Sequence, residues 1–242
     1  MNATVAIVLA GLAVGLAKGG LGALGAVITP LVILAMPDAE KQAVGVVLLL
    51  LIVGDWFALY AYWRRWEGWR MRLLMLGAVA GITGGALLLG ALPNDAVRKL
   101  VGLIGVMMAV YTVVQGRLSR VAYQPRAWHA VFSGSVAGFT SSLANAGGPP
   151  FNAYMLLQDV EPHTFVATAT LFFAVVNVIK VPFFLINGAL RPDLLPFVLP
   201  GVLLVPIGVW LGKKIVDYIN RGVFAAIVWV GLVISSVLLL SQ

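Results

Sequence analysis

Apolar stretches alternate with short polar or charged interruptions along almost the whole chain. A membrane-spanning helix needs about 20 apolar residues, so the longer stretches predict helices that cross a membrane. The first, second and seventh stretches are shorter, which is typical of half-helices or of tilted pieces of hairpins. We place ten apolar segments at residues 3–17, 20–36, 41–63, 71–92, 100–116, 127–147, 149–158, 163–187, 194–215 and 222–241.

Composition narrows the class of protein. Hydrophobic residues make up 61% of the chain and charged residues 10%, whereas a soluble domain carries about 25% charged residues. We therefore predict an all-α polytopic membrane protein, embedded in the lipid bilayer of the inner (plasma) membrane of the cell. The formal charge of +7 does not indicate a nucleic-acid partner, because the basic residues lie in short loops between apolar segments.

The two halves of the chain resemble each other in hydropathy at an offset of about 124 residues, the separation between Gln42 and Val166. Such repeats are typical of transporters. We predict an N-terminal repeat at 1–116, a cytoplasmic linker at 117–126 and a C-terminal repeat at 127–242. Each repeat holds five segments, an odd number, so the fold is predicted to contain two inverted-topology repeats with short or broken helices in Gly/Pro-rich hairpins.

Basic residues predict the orientation, because they accumulate in cytoplasmic loops. With both termini outside, the inner loops hold 11 basic residues, which are Lys18, Arg64, Arg65, Arg70, Arg72, Arg117, Arg120, Arg126, Lys213, Lys214 and Arg221. The outer loops hold 4, which are Lys41, Arg98, Lys99 and Arg191. This bias predicts that both termini lie outside.

Two stretches rich in helix-breaking residues lie at membrane depth, at residues 18–30 and 141–152. Irregular backbone survives inside a bilayer only where it is buried in protein or lines a water-filled cavity. Paired breaks in the two halves of an apolar chain indicate a transporter's substrate site. The helix N-termini after them suit an anion, although glycines at such places are also explained by close helix packing. We expect hairpins from opposite sides to bring the two breaks together near the midplane.

Charged and polar side chains within apolar segments are the other candidates. Lys180 lies one helical turn from Asn177 and beside Pro182, and a charge at that depth usually marks a functional site. We predict that its ammonium faces the cavity, with snorkelling to the outer interface as the alternative. Asp55 is the candidate for a coupling proton or cation, with an ion pair to an inner-loop arginine as its alternative.

Together these features define a predicted substrate-binding set. Its members offer cationic, amide, hydroxyl or backbone N–H donors, and they are Lys18, Gly19, Gly20, Gly22, Thr29, Ser141, Asn145, Gly147, Gly148, Asn152, Thr168, Asn177 and Lys180. His129 and His163 lie far apart, and no HExxH motif, acid cluster or cysteine is present. We therefore expect no metal site, no cofactor and no catalytic residues.

These motifs in combination resemble the TauE/SafE sulfite exporter family, also called the toluene sulfonate uptake permease family. The resemblance rests on the Gly-rich first hairpin ending in Pro30, on Ala43 opening a long helix, and on the second break at residues 147–150, followed by Asn177 and Lys180. It implies secondary transport of a small sulfur-containing oxyanion, such as sulfite, a sulfonate or a sulfoacetate-like organic anion. One branch of this family uses functional cysteines, and this chain has none.

The function we expect is that of an alternating-access secondary transporter and not of an enzyme. Since the sequence shows no nucleotide-binding motif, the energy would come from an ion gradient or the membrane potential. A membrane-embedded enzyme and a non-transporting structural subunit are the alternatives. The sequence fixes neither the oligomeric state nor the coupling ion.

Overall fold

A computed structural model of the chain describes residues 3–61, 66–118, 126–158, 160–215, 218 and 220–241. Three of the basic residues predicted for inner loops, Arg64, Arg65 and Arg120, lie outside the described residues. So does most of the predicted linker, at positions 119–125.

The described residues form ten α-helices, and each predicted apolar segment overlaps one of them. They are α1 (Ala3–Lys18), α2 (Gly25–Ala35), α3 (Glu40–Ala61), α4 (Gly68–Ala91), α5 (Asn94–Leu118), α6 (Ala127–Ala144), α7 (Gly148–Met155), α8 (Pro162–Ile186), α9 (Leu195–Ile215) and α10 (Arg221–Ser241). Short 3₁₀ turns precede α2 and α9. Six helices in the described part of the chain are long and apolar enough to cross a membrane. The predicted all-α polytopic membrane protein is thus confirmed.

Both predicted breaks interrupt the helices where the sequence supplies glycine, proline or asparagine. After α1, Gly20 takes a φ of 137°, a conformation that only glycine adopts easily. After α6, Asn145 takes a left-handed φ of 54°, which asparagine tolerates better than most residues. Helix α7 then begins with Pro149 and Pro150 in its first turn, where a missing backbone N–H costs no hydrogen bond.

Two helix pairs pack with their backbones almost in contact. Gly11 on α1 meets Gly201 on α9, where an added Cβ atom would lie 2.0 Å from the Gly201 carbonyl oxygen. Gly81 on α4 meets Ser135 on α6, where the same atom would lie 1.9 Å from the Ser135 carbonyl oxygen. Small residues allow this approach, which drives helix association in membranes. The two halves of the chain are therefore interleaved in space, since each pair joins a helix of one half to a helix of the other.

Helix α3 runs through the interior and carries the buried carboxylate of Asp55. Its face with Val44, Val47, Leu48 and Leu50 is buried, and it packs against α1, α8 and α9. Helices α3 and α8 run in opposite directions, because Gly45 approaches Ala189 beyond the end of α8 whereas Asp55 contacts Asn177 within it.

Candidate functional site

A cavity of about 450 Å³ lies where the two helix breaks meet. The end of α1 and the start of α2 line it from the first break, and the junction of α6 with α7 lines it from the second. We call its hydrophilic side the polar wall; the side chains that form it are Lys18, Ser141, Asn145, Asn152 and Asn177. The wall combines one cationic group with three amides, a set of donors that suits an anion.

Asp55 stands behind this wall and holds two of its donors. The carboxylate is 2% exposed. Its Oδ1 forms an ion pair with the Lys18 ammonium, and its Oδ2 accepts a 2.6 Å hydrogen bond from the Asn177 amide. Since Lys18 and Asn177 both line the cavity, Asp55 orients the two side chains that an anion would meet there.

Asn145 organises the second break. Its Nδ2 donates to the Val44 carbonyl oxygen at 3.1 Å and to the Thr29 hydroxyl at 3.4 Å, so it ties the end of α6 to α2 and α3. Its Oδ1 accepts a 2.8 Å hydrogen bond from the Lys180 ammonium. The left-handed backbone of Asn145 is therefore held from three neighbouring helices.

Lys180 differs from the expectation that it faces the cavity. The residue is 0% exposed, and its ammonium donates to the carbonyl and the hydroxyl oxygens of Ser141, both at 3.1 Å, as well as to Asn145. The interior accommodates the charge because these three oxygens replace its water shell. Lys180 supports the polar wall from behind instead of forming part of it.

The rest of the predicted set divides between the cavity and other places. Gly22 and Gly148 line the cavity, and Thr29 is a buried partner of Asn145. Gly19 packs against Gly212 of α9, so this glycine serves close helix packing. The remaining residues lie elsewhere: Gly20 in the turn after α1, Gly147 against α6, and Thr168 hydrogen-bonded to Thr164 and Glu67.

Sequence reasoning missed the side of the cavity formed by α5 and α10. We call it the α5–α10 wall; its principal residues are Met108, Tyr111, Val228, Trp229 and Leu232. The Trp229 indole donates to the Ala109 carbonyl oxygen at 2.9 Å and so joins the two helices. Trp229 lies well inside segment 222–241, whereas tryptophans at membrane interfaces lie near the ends of segments. This difference in position is the signal that could have identified it.

A family model described as "Sulfite exporter TauE/SafE" matches residues 7–239 of the chain. The chain belongs to this family. The match confirms the resemblance seen in the two break motifs and identifies the chain as a member of a family of sulfite-exporter-type membrane transporters. No curated protein and no solved structure matches the chain.

In this TauE/SafE protein the polar wall carries side chains that suit an anion. The described residues hold no group of three His, Cys, Asp or Glu side chains placed to ligate a metal ion. The polar wall instead offers hydrogen-bond donors and one positive charge. These groups can hold an anion and release it without covalent change.

Proposed function

We propose that this TauE/SafE protein is a secondary transporter that binds a small sulfur-containing oxyanion or sulfonate in the cavity. The observation that carries the proposal is the convergence of Lys18 with the amides of Asn145, Asn152 and Asn177 on one cavity between two helix breaks. A sulfonate or sulfite group brings a negative charge and three acceptor oxygens. Charge-assisted hydrogen bonds from these donors would replace the water that the anion loses.

Alternating access is part of the proposal, and the arrangement of the helices supports it. Under the offset of about 124 residues, which separates Ala3 from Ala127, the pair α1 with α9 corresponds to the pair α6 with α4. Both pairs pack closely. The corresponding helices α3 and α8 run antiparallel, as inverted repeats require. Inverted repeats around a central site are the usual basis of alternating access.

Asp55 is our candidate for coupling the anion to a proton or a cation. It is a buried carboxylate whose partners, Lys18 and Asn177, line the cavity. An anion that binds these two donors competes with Asp55 for them. A group placed in this way senses whether the cavity is occupied.

The alternative function is that of a membrane-embedded hydrolase. Such an enzyme would use Ser141 as nucleophile and Lys180 as base. The geometry favours the transporter. The Lys180 nitrogen lies against the Ser141 carbonyl, the Ser141 hydroxyl and Asn145 in a residue that is 0% exposed, so water does not reach it. The base of a hydrolase must also activate the water molecule that completes the reaction.

Counterflow of labelled sulfite and of labelled alkanesulfonate into liposomes containing the purified protein tests the proposal. We expect exchange by the native protein and an affinity lower by about tenfold or more for Lys18→Met, because a charge-assisted contact is lost. Lys99→Met is the matched control, since that lysine is 55% exposed on its side chain and outside the cavity. If the native protein exchanges no anion of a broad organic and inorganic panel, the proposal fails.

A further inference from the structure

The cavity has more room and a different lining than an inorganic oxyanion requires. The volume of the cavity is about 450 Å³. Pockets of about 300 Å³ and more commonly hold organic ligands. A sulfite ion at the polar wall would leave the α5–α10 wall in contact with water alone.

The α5–α10 wall is apolar and held in place. Val228 and Leu232 of α10 are buried, and with Met108 they offer the cavity only hydrocarbon and thioether surface. The Trp229 ring cannot turn freely, because its indole nitrogen is bonded to Ala109 at 2.9 Å. Rigid apolar and aromatic side chains of this kind bind the apolar part of a ligand with little loss of side-chain freedom.

Tyr111 supplies a phenolic hydroxyl to this wall. Its hydroxyl is buried and has no hydrogen-bond partner among the described residues, although Tyr111 lines the cavity. Buried polar groups almost always have a partner. Since Tyr111 borders the cavity, a substrate that enters the cavity is the partner we assign to this hydroxyl.

We propose that the α5–α10 wall determines specificity and selects an organic anion with an apolar body over an inorganic oxyanion. The charged head lies at the polar wall, the apolar body lies against Met108, Trp229 and Leu232, and the Tyr111 hydroxyl donates to an oxygen of the head. This assignment rests on the proposed function as an anion transporter. It goes beyond that function by naming the residues that contact the uncharged part of the substrate.

A homologous series tests the assignment on the native protein. Unlabelled alkanesulfonates from methanesulfonate to pentanesulfonate compete with labelled sulfite in liposomes. Burial of one methylene is worth about 0.8 kcal/mol, so the apparent affinity is expected to rise about fourfold per added carbon until the cavity is full. A flat or falling series, with sulfite exchange intact, overturns the assignment and leaves the transporter standing. If neither sulfite nor any sulfonate exchanges, the proposed function has failed.

Tyr111→Phe tests the role of the hydroxyl, because it removes that group and keeps the ring. Because that hydroxyl bonds to no described residue, the variant is expected to fold with native thermal stability. It should bind pentanesulfonate about tenfold more weakly, through the lost hydrogen bond to a charged acceptor. Tyr60→Phe is the matched control, since Tyr60 is 88% exposed and outside the cavity. Unchanged pentanesulfonate affinity in Tyr111→Phe overturns the role of this hydroxyl.

Trp229→Ala tests the apolar surface separately. It is expected to reduce the gain per methylene in the alkanesulfonate series while sulfite still competes. Trp210→Ala on α9 is the control, because Trp210 is 55% exposed. Trp229 also joins α10 to α5, so Met108→Ala serves as a second variant should Trp229→Ala not fold. If Trp229→Ala and Met108→Ala both fold and both keep the full gain in affinity per methylene, the role of this surface is overturned.

Discussion

Lys180 stands behind the polar wall and contacts two residues that line the cavity. The residue is fully buried, and its ammonium donates to Ser141 and Asn145, which both line the cavity. We therefore regard Lys180 as a positioning residue that fixes Ser141 and Asn145 in the polar wall. Its charge also adds to the positive potential behind the polar wall, which favours an anion over a neutral ligand.

A double-mutant cycle distinguishes this role from direct contact. Lys180→Met leaves the buried Asn145 Oδ1 without its donor, whereas the Ser141 carbonyl keeps the Asn145 backbone N–H. We therefore expect a loss of about 1–3 kcal/mol in stability and at least tenfold in anion affinity. If Lys180 acts through Asn145, the affinity losses of Lys180→Met and Asn145→Ala will not add, because residues in one network are coupled. Affinity and thermal unfolding of the four proteins of the cycle are measured together. Fully additive losses in affinity would contradict the positioning role.

The two walls of the cavity differ in how far the sequence could reveal them. Lys18, Asn145 and Asn177 were predictable, because polar residues inside apolar segments are costly and stand out. Met108 and Leu232 were not, since the same residue types also face lipid and hydropathy does not distinguish lipid from a cavity. The burial of Lys180 could not be foreseen either, because its acceptors Ser141 and Asn145 belong to another segment.

At the scale of helices, the sequence predicted where each helix breaks but not which helices meet. Glycine and proline mark the breaks through local backbone chemistry. The glycines of α1, α4, α6 and α9 were visible as well, but a row of small residues carries no information about its partner. In the structure these rows pair α1 with α9 and α4 with α6, and these pairs connect the two halves.

Two glycines of α4 test this packing in one helix. In Gly81→Ala the added methyl group would lie 1.9 Å from the Ser135 carbonyl oxygen, so α4 and α6 must separate. Overpacking of this kind costs about 1–3 kcal/mol, which we expect as a lower melting temperature in detergent. Gly84→Ala is the control, because its added methyl group would lie 3.9 Å from the nearest atom of the Phe139 ring, an ordinary van der Waals contact. It should be neutral or slightly stabilising, since alanine favours helix. Equal stability of the two variants would show that the helices do not pack this closely.

At the scale of the molecule, the two ends of the bundle differ. The cavity is bordered by the last turn of α1, the C-terminal half of α5 and the N-terminal half of α10. From the basic loops we predict that this end lies near the cytoplasm. The other end is closed between the two halves, where Gly45 lies against Ala189 and Gln42 donates to the Gly188 carbonyl oxygen at 3.1 Å. The Asn187 amide adds a hydrogen bond to the Ala86 carbonyl oxygen at 3.0 Å. We call these three contacts the outer closure.

This asymmetry predicts an inward-facing state whose opening to the outside requires the outer closure to break. Because the chain has no cysteine, a single cysteine introduced at Ala26, which lines the cavity, reports access without interference. A charged, membrane-impermeant thiol reagent is expected to label it from the cytoplasmic side and only slowly from outside. Adding Gln42→Ala removes one hydrogen bond, worth about 1 kcal/mol. This should raise the outward-facing population, and with it the labelling rate from outside, by about fivefold.

Lys99→Ala on the same background is the control, since Lys99 lies at the same end but pairs with Asp95 of its own helix α5. It should leave labelling from both sides unchanged. Faster labelling from outside than from the cytoplasmic side in the protein with an intact outer closure would contradict the orientation predicted from the basic loops. Equal labelling from outside with and without Gln42→Ala would instead show that the outer closure does not hold that end shut, because a contact can bias two states only if it differs between them.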